Sequence, residues 1–340
     1  MKIMDSNNLF DMDAAAMEGR LRARLSLSEL FAITMALAMS CVFLWLYHSG
    51  QNVFYDFRNY LDAGRGIFKE YYYAYWLLPF FTLLTHLPFD LAAIIWDLMG
   101  IACLWTACRV FNSRLTPILI GYQALYILFY GQITFVLVGG LALAWWSMAH
   151  QKLDLAGLGF TIAATKYQVG IIFALLLWLV APISWRNRLR ILILPVIIVL
   201  ATMVLYPTWV QNTIATFLVS PPNDFASISL WRWIGPWALL LFVPPLFVPS
   251  PKKHLLLFAV AATLALPYFQ QADLICLFLF VPYWIALMGN LGFLYIWFSW
   301  PALQMLAVVP LAAYIWFLGR TIRPPLAFAR FTNLRQSKKM

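Results

Sequence analysis

Charge is what this sequence has least of. Asp, Glu, Lys and Arg supply 11% of its 340 residues, against 64% hydrophobic ones, whereas soluble domains carry about 25% charge. A soluble fold is therefore excluded, and the solvent is mostly lipid. Cysteine is nearly as scarce. Cys41, Cys103, Cys108 and Cys276 are scattered through apolar runs, with neither metal-type spacing nor a compact framework to staple, so they read as packing residues. His48, His86, His150 and His254 are isolated from one another, which leaves no metal site and no cofactor to expect. No internal repeat, low-complexity tract or composition shift divides the chain. Repeat arrays are thereby excluded, and a single membrane-embedded domain over residues 1–340 is expected.

Long apolar runs fill the space that charge leaves. Residues 30–47, 189–205 and 255–266 are examples, and a hydrocarbon core of about 30 Å accepts such segments as helices whose backbone groups pair internally. The expected fold is all-α and polytopic, with about ten to twelve transmembrane helices by the orientation rule. Residues 1–27 mix acids with Arg20, Arg22 and Arg24 and hold no small-residue cleavage site before the first run. That run is expected to stay as an anchor behind a cytoplasmic N-terminal segment. The net charge of +10 does not indicate nucleic acid, because Lys and Arg gather at helix ends, where they meet membrane lipids and set orientation.

Basic clusters mark the cytoplasmic side, so an even number of passes separates any two. The markers are residues 20–24, 109–114, 152, 186–190, 252–253 and the basic tail 320–340. Between the first two lie clear spans at 28–47 and 91–108, which puts the polar stretch 51–69 outside. Residues 71–88 open with Tyr71-Tyr-Tyr-Ala-Tyr75-Trp76 and hold Pro79. They suit an interfacial helix, so 51–88 reads as an outer loop with interfacial helices. Residues 154–184 need two passes of roughly 14 residues, about 21 Å each, too short to span alone. These meet near Lys166 and leave it in a protein-lined recess below the outer surface, since bare lipid does not tolerate an ammonium. The same parity puts Gly131-Gln132, Lys166-Tyr167-Gln168, a second outer loop at 208–234 and Gln270-Gln271-Ala272-Asp273 on the side of Asp56. Residues 255–319 admit four short passes or two long ones.

The residues able to carry chemistry stand on that face. Asp56 and Tyr60 fall at i and i+4 of one helix face. Asp56 is either a headgroup-level acid, solvated or paired with Arg58 or Lys69, or a proton acceptor. Asp62 and Glu70 lie beside Arg65 and Lys69 and are explained by pairing with them. Lys166 either snorkels from a helix end or binds a partner, which would be a lipid phosphate or an acid of the first outer loop. Arg232, within Ser229-Leu-Trp231-Arg232-Trp233, suits a phosphate, a sugar ring or a plain interfacial anchor. A divalent ion between Asp56 and Asp273 would need waters and phosphate oxygens to complete its shell; it is not indicated.

Seven motifs follow one another along the chain. They are Asp56-Phe-Arg-Asn-Tyr60-Leu-Asp-Ala-Gly, Tyr75-Trp-Leu-Leu-Pro79-Phe, Leu91-Ala-Ala-Ile-Ile-Trp96, Gly131-Gln132, Ala156-Gly-Leu-Gly-Phe-Thr-Ile-Ala-Ala-Thr-Lys166, Ser227-Ile-Ser-Leu-Trp-Arg232 and Pro267-Tyr-Phe-Gln-Gln-Ala-Asp273. In this order they resemble the GT-C superfamily of membrane glycosyltransferases, and within it glycosyltransferase family 87, the polyprenyl-phosphate-mannose-dependent class. The likeness runs loosely over most of the chain. It implies an inverting hexosyltransferase of the bacterial inner membrane, its site facing the periplasm or exterior. Such an enzyme moves a sugar, mannose favoured, from a polyprenyl-phosphate donor to a glycan or glycolipid acceptor. The resemblance implies Asp56 as the base, Lys166, Arg232 and Arg58 as holders of the donor phosphate, and Tyr60, Gln132, Tyr167, Gln271 and Asp273 as substrate contacts. The chain departs from the family pattern at Tyr167, where a proline usually follows the lysine, and at Gln270 and Gln271, where a histidine is frequent. Two other functions compete: a transporter or flippase of a lipid-linked sugar, which calls for inverted repeats and midplane polar sites, and a non-catalytic scaffold.

Overall fold

The computed structural model describes residues 12–68, 71–219, 227–248, 251–298 and 304–321, and every regular element among them is helical. The first half comprises α1 (Ala14–Arg22), α2 (Leu27–His48), α3 (Tyr55–Gly64), α4 (Leu78–Leu84), α5 (Phe89–Val110), α6 (Leu115–Leu119), α7 (Tyr122–Tyr130), α8 (Thr134–Ala149), α9 (Leu153–Ala163) and α10 (Tyr167–Val180). The second comprises α11 (Trp185–Leu205), α12 (Trp209–Val219), α13 (Trp231–Ile234), α14 (Val243–Leu246), α15 (Pro251–Ala265), α16 (Leu274–Phe278), α17 (Tyr283–Met288), α18 (Tyr295–Phe298) and α19 (Val308–Thr321).

Three helices, α2, α5 and α11, are long and apolar enough to cross a membrane, and α7 with α8 makes a fourth span if that pair, bent by 112°, is counted as one. Local chemistry sets where α2 begins. The Ser26 hydroxyl accepts from the Glu29 N–H at 3.2 Å while the Glu29 carboxylate accepts from the Ser26 N–H at 2.8 Å, so two orphan donors of the first turn are satisfied. Half of the apolar window of α5 is buried, against 22% for α2 and 11% for α11. α5 is thus the central helix, and α11 presents most of its apolar side chains outward, as a lipid-facing helix does.

Close backbone contact builds the layer beside α5. A Cβ on Gly159 of α9 would lie 2.5 Å from the Ala144 nitrogen of α8, and one on Gly140 would lie 2.6 Å from the Ala163 nitrogen. Small residues at both positions let the two helices touch main chain to main chain. α9 and α10 are the two short helices expected around Lys166, which lies in the three-residue break between them. Gly170 sets the tightness of that break, because its Cβ would stand 1.8 Å from the Ala163 carbonyl oxygen. Gly170→Val should therefore force α9 and α10 apart. The expected loss is about 3 kcal/mol or more by overpacking, read as a lowered Tm in detergent.

The bundle has two chemically distinct ends. At the basic end Arg20 donates to the Arg109 and Val110 carbonyls, Arg109 pairs with Glu29 at 2.7 Å, Glu18 meets His150 at 3.1 Å and Asp154 meets Arg190 at 3.3 Å. Contacts at or beside the first four basic clusters thus join α1, α2, α5 and α8, and α9 with α11. At the opposite, loop end His48 meets Asp90 at 3.0 Å and α3 docks. The structure adds detail to two sequence readings here. The second outer loop is helical over Trp209–Val219, and the Trp209 ring packs on Tyr75 and Trp76 of the first loop, with centroids at 6.1 and 5.6 Å. Of the two alternatives open for the C-terminal third, the described residues 251–298 and 304–321 show the shorter segments. Lys69, Glu70 and the tail beyond Thr321 lie outside the described residues.

Candidate active site

α3 is seated by aromatic packing and one left-handed residue. Phe54 precedes the helix with φ +54°, which turns its N–H onto the Phe129 carbonyl at 2.8 Å. Gly131, at φ +67°, closes α7. A side chain there would meet the Phe57 Cβ at 2.5 Å, so only glycine allows α3 to lie against the α7–α8 break. Trp96 fixes the same break by donating to the Gly131 carbonyl at 2.9 Å and stacks on Phe57 at 5.6 Å. Asp56 is thereby held half-buried in the first turn of α3, where unpaired N–H groups favour a carboxylate.

Tyrosines surround that carboxylate. Tyr60 is fully buried one turn along α3; its oxygen accepts from the Ile133 N–H at 3.3 Å and hydrogen-bonds to Tyr73. Burial pushes the Tyr60 hydroxyl well above its ordinary range, and the charge of Asp56 adds to the rise. Burial first, then neighbouring Tyr60 and Asp56, raises Tyr73 likewise, while burial and the Asp273 charge raise Tyr268. These phenols stay protonated at neutral pH, so they can donate hydrogen bonds but cannot serve as bases. The proton acceptor within their ring is Asp56.

Lys166 is 1% exposed. Its ammonium donates to Asp273 Oδ1 at 2.6 Å and to Gln270 Oε1 at 2.9 Å, leaving one donor without an acceptor among the described residues. Of the two readings of Lys166, a snorkelling side chain and a partnered one, the structure shows the second, as a buried ion pair. The expected partner is also corrected: the acid comes from the 270–273 turn, 107 residues away in sequence, and not from the first outer loop. The first loop still reaches this place, because the Ala74 N–H binds the Thr165 carbonyl at 3.1 Å and Trp76 Nε1 donates to Thr161 O and Thr165 Oγ1. Asp273 is itself held by Thr134 at 3.4 Å and by the Gln270 N–H at 3.3 Å. With both of its oxygens engaged, Asp273 is a poor second carboxylate for a divalent ion.

Gln270 also donates to the Tyr268 hydroxyl, and Tyr268 feels the charges of both Asp273 and Asp56. Hydrogen bonds thus run from Tyr268 through Gln270 to Lys166. Ser227 bridges to Gln270 in antiparallel fashion, and the Ser229 hydroxyl clamps the next segment onto the Leu264 carbonyl at 2.8 Å. That segment carries Arg232, which is exposed. Gln132 is 4% exposed, and its carbonyl oxygen has no donor among the described residues. Gln271 is fully buried, its amide beside the Tyr122 and Tyr126 hydroxyls. Tyr167 is half-buried near Tyr71 and Tyr75. Arg58 bonds Asn52 and sits over the Tyr47 and Tyr55 rings, each 5.9 Å away. Asp62 pairs with Arg65 at 3.3 Å, as expected.

Sequence reasoning missed Tyr73, Tyr268 and Asp97. The first two lie within the stretches Tyr71–Trp76 and Pro267–Asp273, where nothing in the local pattern sets them above their neighbours. Asp97 is 3% exposed within α5 and contacts Ser40 of α2. An acid inside an apolar run was a readable signal.

No family model matches this chain, and neither a curated protein nor a solved structure matches it.

Proposed function

We propose that the protein is an inverting glycosyltransferase that moves a sugar, mannose favoured, from a polyprenyl-phosphate donor to a lipid-linked or envelope glycan acceptor on the non-cytoplasmic face of the bacterial inner membrane. The reading is supported above all by one observation: a half-buried carboxylate, ringed by phenols that stay neutral, lies at the same end of the bundle as a buried lysine turn and an exposed arginine. In the proposed reaction Asp56 removes the acceptor hydroxyl proton as that oxygen attacks the anomeric carbon. The bond from that carbon to the phosphate oxygen breaks on the opposite face, and polyprenyl phosphate leaves with the electron pair. Arg232 meets the phosphate. Lys166 holds the 270–273 turn and offers its remaining donor. The Gln132 oxygen, buried without a donor, suits a sugar hydroxyl. Tyr60, Tyr167, Gln271 and Asp273 shape the sugar site, and Arg58 is assigned to the headgroup layer at its edge. In this reading the chain crosses the bilayer about ten to twelve times, its shorter helices meeting as broken passes.

Purified protein supplied with radiolabelled polyprenyl-phosphate mannose should release labelled glycan or glycolipid product from a membrane-lipid extract in detergent. Detergent has no sides, so a flippase would form no product there. The buried Lys166–Asp273 pair beside broken helices is also what a carrier uses; donor left intact under these conditions would favour that second reading. Arg232→Gln should raise the donor KM about tenfold, the value of one charge-assisted hydrogen bond of about 1.5 kcal/mol, with kcat little changed.

A further inference from the structure

The basic end of the bundle holds a cleft that the proposed reaction does not use. It measures about 670 Å³ and lies between the start of α2, the end of α5, α6 and α17. Three guanidinium groups, those of Arg20, Arg109 and Arg114, line it against a single carboxylate, Glu29. Two of the three are fixed. Arg20 and Arg109 each donate to the other's carbonyl, at 2.9 and 3.1 Å, and Arg109 also holds Glu29, while its Nε is buried with no acceptor among the described residues. Arg114 differs: it is exposed, rests 4.9 Å from the Tyr283 ring and makes no ion pair among the described residues. The wall of the cleft is therefore a preformed cationic surface, and its mouth carries a guanidinium able to close on an anion.

Part of the lining is apolar. Ile120 and Leu287 belong to it and are 40% and 43% exposed, so an occupant with a charged head and a hydrocarbon body would cover both kinds of surface. We infer that this cleft binds a phosphate-bearing headgroup, with Arg114 and Arg109 on the phosphate oxygens and the apolar lining against the chains of an anionic lipid. Basic pockets between membrane helices take such headgroups for these reasons. The inference shares no residue with the transferase site and stands without it.

Native mass spectrometry of the full chain in neutral detergent tests it, using phosphatidylglycerol, chain-matched phosphatidylcholine, and glycerol 3-phosphate as the soluble phosphate ester. Wild type should retain phosphatidylglycerol at least tenfold better than phosphatidylcholine. Arg114→Glu should remove that preference, and Arg114→Lys should keep most of it. Arg190→Glu, which alters the Asp154 pair at the same end but outside the cleft, should leave it unchanged. Binding of glycerol 3-phosphate with equal affinity would support the phosphate site and assign it to a soluble ester instead of a lipid. Equal retention of the two lipids by wild type, or an undiminished preference in Arg114→Glu with an unchanged Tm, would overturn it.

Discussion

Asp56→Asn should lower sugar transfer by roughly 10²- to 10⁴-fold, the range that one positioned general base contributes, and should leave expression and Tm as they were. The substitution keeps shape and hydrogen-bonding capacity and removes only the ability to take a proton. The seat of α3 is built by Phe54, Phe57, Gly131 and Trp96, none of which the substitution changes. Nor can a neighbour substitute, because burial holds Tyr60, Tyr73 and Tyr268 protonated. Steady-state turnover with a fixed donor is the measurement. Unchanged turnover would remove Asp56 from the chemistry.

The second large effect falls on stability. Lys166 and Asp273 are 1% and 0% exposed, so Lys166→Met leaves a buried carboxylate uncompensated, at a cost of about 3–5 kcal/mol. Asp273→Asn should cost nearly as much by stranding the ammonium. The double variant loses both charges, while the Asn oxygen can still accept from the Gln270 N–H and its amide can donate to the Thr134 hydroxyl, and it should recover most of the loss, since neutral replacement of a buried pair is often tolerated. Denaturation of all four proteins gives the coupling directly. Simple additivity of the two single effects would mean that the pair does not hold the turn. Transfer by the double variant adds a second readout. If Lys166 also offers its remaining donor to the phosphate, the donor KM stays raised after stability is restored.

The long apolar runs were legible because length and hydropathy alone define a span. The spans expected at 28–47 and 91–108 appear as Leu27–His48 and Phe89–Val110, the small differences arising from a Ser26 capping box and from helix-compatible residues around Pro88. The break at Lys166 was legible through parity, which demanded two passes where the chain had room for two short ones. The Lys166 partner was not. Pairing across 107 residues is decided by how α8, α10 and the 270–273 turn pack, and nothing in local spacing separates Asp273 from Asp56 as the acid. The helix within the second loop was hidden for a related reason. Nothing in the sequence singles out Trp209, and only the fold brings it onto Tyr75 and Trp76.

A cryo-EM structure of the protein with a bound polyprenyl-phosphate sugar would test the central claim most directly. The account predicts the anomeric carbon between Asp56 and Arg232, with the phosphate toward Arg232, the sugar against Gln132 and Tyr60, and the acceptor position within about 3 Å of the Asp56 carboxylate. Density for the sugar phosphate at the basic end, or at mid-depth beside Asp97 with Asp56 facing away, would contradict it.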